Sequence, residues 1–345
     1  MKNKNFFKIN IIYFIAITLV ALVFLMGYLG ILKNDILTSL LIQIVVMFAI
    51  PLLLYSLFTK KKIKESLSDC GLKKISLNML FISIALGFVL YFINSFVADA
   101  FYGIITLFGY ETITTSTTTT FNYSLLLKEF VLSCILPGFC EEFLHRGIML
   151  HANKKHTNTK FCLIISSILF GLTHLNIRQF FYAAILGFLM GYVTLVANSI
   201  IPSIIIHFMN NFLSTYFFYG TQLNWPMAKF FNYITNIFAS DVLIFIISSI
   251  VGILLLLLLY NYLLKLMMKE NAKKDIQAIV TELKMERLSM VEAQQKLNEV
   301  NKLLHVKTIQ ERTKVKRSFV DNIFLISSVV LGTLITISSF IWGVI

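Results

Sequence analysis

FVLSCILPGFCEEFLHRGIML, residues 130–150, decides how this chain is read. Two apolar stretches, FVLSCILPGF and GIML, flank two glutamates, a histidine and an arginine packed into six residues. An ionisable side chain at membrane depth costs on the order of 2.5–3.5 kcal/mol or more, so such groups face a polar interior and mark function. The first question is therefore whether the flanking stretches cross a membrane.

The composition says that they do. Of 345 residues, 57% are hydrophobic and only 14% are charged. A soluble domain carries about a quarter charged residues. Mean hydropathy is +0.80. No alternating ten-residue pattern points to a membrane barrel. The fold class expected is all-α, a polytopic membrane bundle of about eight or nine helices. The candidate spans are 9–32, 36–58, 77–103, 124–150, 161–175, 179–198, 200–219, 242–266 and 319–343. They divide into N-terminal helices (1–123), a core (124–219) and a C-terminal part (220–345).

The net charge of +13 does not imply a nucleic-acid partner. The lysines stand in loops between apolar spans, where topology accounts for them. Loop 59–76 carries Lys60, Lys61, Lys62, Lys64, Lys73 and Lys74, and loop 151–160 carries Lys154, Lys155 and Lys160. The alternating loops are poor in them, which predicts a cytoplasmic N-terminus in a multi-pass protein of the plasma membrane. The opening MKNKNFFK and its apolar run imitate a signal peptide, but the absence of a small-x-small site before Lys33 favours an uncleaved first helix. Cys70, Cys134, Cys140 and Cys162 form no C-x-x-C pair and are expected as unpaired thiols. The loop 111–124, ETITTSTTTTFNYS, is polar and low in complexity, and no chemistry is assigned to it.

Residues 267–318 differ in kind, with 12 Lys/Arg and 7 Asp/Glu. Apolar residues recur at helical spacing at Ile276, Ile279 and Leu283, and again at Leu297, Val300 and Leu304. This predicts one or two cytoplasmic helices joining the last two spans. They serve either as a solvated connector or as a contact surface for a protein partner or the membrane.

Three clusters carry the chemistry. In CEEFLHRG, Glu142 and Arg146 stand at i and i+4 with the acid first, the favourable order for an ion pair. That pair reads as structural support. Adjacent residues on a helix point about 100° apart, so Glu141 is left free of Arg146. Its own i+4 neighbour is His145, a hydrogen-bonding candidate. A carboxylate in a dry cavity suits a general base. In FGLTH, His174 shares a face with Phe170. In HFMNN, His207 and Asn211 share a face while Asn210 points elsewhere. If the three spans converge, one carboxylate, two imidazoles and one amide meet in a single cavity. They supply a base for water and donors for an oxyanion. No serine or cysteine stands in triad-like spacing, so the chemistry implied is hydrolysis by activated water.

These motifs resemble a family pattern: EEFLHR as E-E-x-x-x-R, FGLTH as F-x-x-x-H and HFMNN as H-x-x-x-N, with the small-residue run LGFLMGY (186–192) between the last two. Over roughly 120–215 the chain is similar to the CPBP family, also called Abi or type II CAAX-prenyl endopeptidases. The resemblance implies an intramembrane peptidase acting on a peptide or membrane-proximal protein tail. By it Glu141 activates water, His174 helps to hold that water, His207 and Asn211 stabilise the oxyanion, and Glu142 and Arg146 support them. No cofactor is required by the sequence. Glu141, His174 and His207 are a set that could take zinc, and a metal-free glutamate mechanism needs none. His145 departs from the family, where this position is usually aromatic, and its role stays open at this point. The family's immunity associations, with the charged segment 267–318, motivate an alternative: a non-catalytic membrane immunity or scaffold protein that binds a bacteriocin-like peptide or partner. A proton-relay transporter is the weaker third choice, since no inverted repeat is evident.

Overall fold

The computed structural model describes residues 4–111, 122–238, 242–285, 288–305 and 319–344. Most of the 111–124 loop, and the stretch 306–318 of the charged segment, therefore lie outside the described residues. Within the described residues all regular structure is helical. The helices are α1 (Lys4–Tyr28), α2 (Asp35–Thr59), α3 (Ile63–Asp69), α4 (Leu77–Leu107), α5 (Tyr123–Lys155), α6 (Thr159–Leu172), α7 (Ile177–Ala197), α8 (Ile201–Leu223), α9 (Pro226–Phe238), α10 (Val242–Lys284), α11 (Met290–His305) and α12 (Phe319–Val344).

Seven of these, α1, α2, α4, α5, α7, α10 and α12, are long and apolar enough to cross a membrane. The sequence suggested eight or nine spans, and the difference lies in two helices. Helix α6 has only 14 residues. Helix α8 has 23, but the polar residues of HFMNN and the Ser-Thr pair after it dilute its apolar character. Both pack inside the bundle, so the protein is a multi-pass helical bundle all the same.

Local chemistry sets the helix ends. Asn34, Ser76, Asn158 and Asn176 each accept a hydrogen bond from a backbone N–H of the helix that follows, which satisfies donors a helix start leaves orphaned. The first two turns of α2 lead into a π-helical stretch at Leu41–Ala49. Helix α5 is π-helical at Phe130–Ile135 and again at Phe143–Ala152. Such wider turns recur at functional sites and displace side chains from the ordinary 3.6-residue faces.

Two cores form. One joins α1, α2, α5 and α6 through residues such as Tyr13, Met47, Phe143, Leu144 and Leu169. The other joins α4, α7, α8 and α10 through Leu86, Phe170, Leu186, Ile206 and Met267. CEEFLHRG contributes to the first and Phe170 to the second, so the ionisable residues lie where the two meet. Gly187 makes that junction possible. A Cβ there would stand 3.1 Å from the Phe170 ring and 3.3 Å from Arg146 Nη2.

The lysine-rich loops share one end of the bundle. Asp69, closing α3, is ion-paired to Lys61 and, at 3.1 Å, to Lys155. Burial pushes the Asp69 carboxyl up, but hydrogen bonds from these two lysines outweigh it and hold the group below its ordinary value. His151 ties the same corner together, with Nδ1 3.0 Å from the Asp69 carbonyl and Nε2 3.0 Å from Asn198 Oδ1.

At that end the charged segment forms a helical hairpin. Helix α10 runs on past the span as a single 43-residue helix, and α11 folds back on it. Ala272, Ile276, Ile279 and Leu283 face Ala293, Leu297 and Val300. Ser289 and Glu292 begin α11 as a capping box, the Glu292 carboxylate accepting from Ser289 N at 3.0 Å and Oγ at 2.8 Å. The hairpin base meets the lysine-rich loop, with Lys274 Nζ donating to the Lys74 carbonyl at 2.8 Å.

Candidate active site

Glu142 and Arg146 are both fully buried, and Arg146 Nη1 donates to Glu142 Oε1 at 2.7 Å. The guanidinium also donates to the Gly187 carbonyl at 3.2 Å through Nη2 and lies 4.2 Å over the Phe170 ring. The pair deduced from spacing thus ties α5 to α6 and α7. His207 joins it from α8, with Nδ1 2.9 Å from the same Glu142 oxygen. A carboxylate oxygen accepts, so His207 donates from Nδ1.

Glu141 points elsewhere. It lines a cavity of about 330 Å³ with Gln43, Thr173 and His174, which extends past Ile42, Ser39, Thr38 and Gln179 to Asp35. His174 Nδ1 lies 2.9 Å from the Phe170 carbonyl. Since a carbonyl accepts, Nδ1 carries the hydrogen, and the neutral ring keeps its Nε2 lone pair free to accept. A carboxylate and an imidazole nitrogen therefore border the same space.

His145 is fully buried and does bond the residue four before it, but at the Glu141 backbone carbonyl (2.8 Å) rather than its carboxylate. Its Nε2 faces Tyr13 Oη of α1 at 3.1 Å, and Tyr13 Oη also reaches the Leu169 carbonyl at 3.0 Å. His145 thereby links α5, α1 and α6 and does not line the cavity. Phe170 organises the whole group. The rings of His145, His174 and His207 stand edge-on to it, with centroids 5.1, 5.2 and 5.5 Å away.

The three motifs converge around Phe170, but two of their residues, His207 and Asn211, bond away from the cavity. Asn211 Nδ2 donates to the Ser133 carbonyl at 2.8 Å, and its Oδ1 accepts from Asn210 at 3.2 Å. Asn210 in turn accepts from Asn94 of α4 at 3.3 Å. Neither His207 nor Asn211 borders the cavity that Glu141 and His174 line.

Gln43 escaped the sequence reading. It sits in α2, is 8% exposed, and its Nε2 donates to Glu141 Oε1 at 2.8 Å. The available signal was a lone amide inside the apolar run LIQIVV.

No three His, Cys, Asp or Glu side chains among the described residues group as a metal ion requires. Glu141, His174 and His207 as placed do not form a three-ligand set, with His207 committed to Glu142.

Residues 123–213, which hold all three motifs, match the family model described as Type II CAAX prenyl endopeptidase Rce1-like. No curated protein and no solved structure matches the chain. Glu141, Glu142, Arg146, Phe170, His174 and His207 all fall within the matched stretch. Over residues 123–213 the chain is similar to the Rce1-like type II CAAX prenyl endopeptidases, a protease family.

Proposed function

We propose that this protein is an intramembrane endopeptidase that hydrolyses a peptide or membrane-proximal protein tail with water activated by Glu141. The observation that carries the proposal is the division of labour between the two glutamates. Glu142 is neutralised by Arg146 and bonded to His207, whereas Glu141 faces a cavity beside the free acceptor nitrogen of His174.

The reaction follows from that geometry. A water held between Glu141 and His174 Nε2 gives a proton to Glu141 as its oxygen attacks the scissile carbonyl carbon. The carbonyl π bond breaks and leaves an oxyanion. Collapse of the intermediate breaks the C–N bond, and Glu141 returns the proton to the leaving amine. No covalent enzyme intermediate forms. His207 is held by Glu142 outside the cavity that Glu141 lines, so it must turn toward the scissile carbonyl before it can donate to the oxyanion. Asn211 must first leave the Ser133 carbonyl to contribute its amide, a rearrangement in keeping with apo sites that tighten only around substrate.

The test is a comparison of protein termini in cells expressing the wild type or Glu141→Gln at equal levels. The proposal expects new termini that depend on Glu141, clustered in or beside membrane spans. Identical termini in the two strains refute it and leave the binding role, as an immunity or scaffold protein, in its place.

A further inference from the structure

Gln43 lies outside the family-matched residues 123–213, on a helix that the three motifs do not include. It is nevertheless the side chain hydrogen-bonded to the Glu141 carboxylate, at 2.8 Å. A primary amide inside an apolar span is costly, and it is commonly offset by a bond to another helix. Here the partner is the proposed base itself.

The orientation of the amide is fixed by chemistry. An ionised carboxylate only accepts, so Gln43 must turn its NH₂ toward Glu141. Its carbonyl then faces the other way, and Gln43 Oε1 is buried with no hydrogen-bond partner. Orphaned buried acceptors are rare and call for an explanation. Rotating the amide would put two oxygens together at Glu141 and lose the one bond that exists. The cost of the orphan is therefore borne to keep a donor on Glu141. The local backbone serves the same end: Gln43 stands in the π-helical turn Leu41–Ala49, and it lines the cavity with Glu141 and His174.

We infer that Gln43 is a positioning residue for the hydrolysis: its Nε2–H holds Glu141 Oε1 and leaves Oε2 as the oxygen that takes the proton from water. The inference rests on Glu141 being the base. It adds that the N-terminal helices are part of the catalytic unit, and that residues 123–213 alone supply an unanchored carboxylate. A carboxylate free to rotate leaves the near-attack geometry on which proximity catalysis depends.

The experiment uses full-length protein with three substitutions: Gln43→Met, similar in length without a donor; Gln43→His, which restores an N–H; and Glu141→Gln. Glu141-dependent termini are counted in cells, and the peptide spanning the most abundant one is then assayed with purified protein. The inference expects Gln43→Met to lower kcat by up to about 100-fold, the scale of loss when reacting groups are misplaced by about 1 Å, with KM unchanged. Gln43→His should recover most of the loss. Gln43→Met cleaving like the wild type overturns the inference while the functional proposal stands. A rise in KM with kcat preserved overturns it too, as does a loss that His does not rescue and that tracks a fall in melting temperature, which marks a packing role. If no terminus depends on Glu141, the functional proposal itself fails and this inference fails with it.

Discussion

Replacing Arg146 with methionine gives the sharpest energetic test of the buried cluster. Arg146 and Glu142 are 2.7 Å apart and fully buried. At an effective dielectric constant of about 20, their direct attraction is about 6 kcal/mol. Desolvation of both groups offsets most of this, so the pair adds little net stability. Removing one member differs, because it strands the other charge. Methionine fills most of the volume but leaves Glu142 with His207 alone, and the Gly187 carbonyl and Phe170 face lose the guanidinium. The expected cost is about 3–5 kcal/mol. The double variant Glu142→Gln, Arg146→Met strands no charge and should recover on the order of 2 kcal/mol relative to Arg146→Met. Denaturant unfolding of the four proteins in detergent micelles closes the cycle. An Arg146→Met cost under about 1 kcal/mol, or a double variant no more stable than the single, would refute the reasoning.

Three further outcomes are expected. Thr38 and Gln179 line the cavity between Glu141 and Asp35, at the end away from the lysine-rich loops, so Thr38→Cys should react with a membrane-impermeant maleimide from the side opposite to Lys62→Cys; labelling of both from one side contradicts the topology. The Asp69 carboxyl is held below its ordinary value by Lys61 and Lys155. Its stabilisation is therefore present above the unfolded value of about 3.9 and is lost as pH falls through the lower folded value. Asp69→Asn should lower the unfolding free energy at pH 7 by under about 1 kcal/mol for so exposed a network, with the gap to wild type closing in strong acid; a gap that stays constant with pH argues against the pairing. Tyr13→Phe should cost about 1–3 kcal/mol, since it leaves His145 Nε2 and the Leu169 carbonyl without the Tyr13 hydroxyl. It should leave kcat unchanged in a peptide-cleavage assay, because His145 lies outside the cavity.

The legible features were those written in one segment. Long apolar runs marked the spans, and the i, i+4 order of Glu142 and Arg146 pointed to their ion pair. Helix within 267–318 was legible from its apolar stripe, whereas the folding of α11 back on α10, which puts Ile279 and Val300 in one buried cluster, was not. The illegible features depend on which helix lies opposite. His207 was singled out by the cost of an imidazole in an apolar helix, but nothing local says that it bonds Glu142 rather than facing the cavity. Asn211 stands at helical spacing from His207, yet Ser133 on α5 takes its amide. His145 had the right partner residue and the wrong atom, because a helix offers the i−4 carbonyl as readily as the side chain. Gln43 was silent because one amide in an apolar span gives no periodic signal, and π-helical turns shift the faces that spacing arguments assume.

The central claim is that Glu141, not Glu142, is the working base. Purified full-length protein should cleave a peptide spanning a Glu141-dependent terminus. Glu141→Gln should fold normally and lose on the order of 10²–10⁴ in kcat, the contribution of general base catalysis. Glu142→Gln should unfold more readily, and its residual folded fraction should still cut. A Glu141→Gln protein that cleaves at the wild-type rate, or a well-folded Glu142→Gln protein that alone is inactive, would contradict the account.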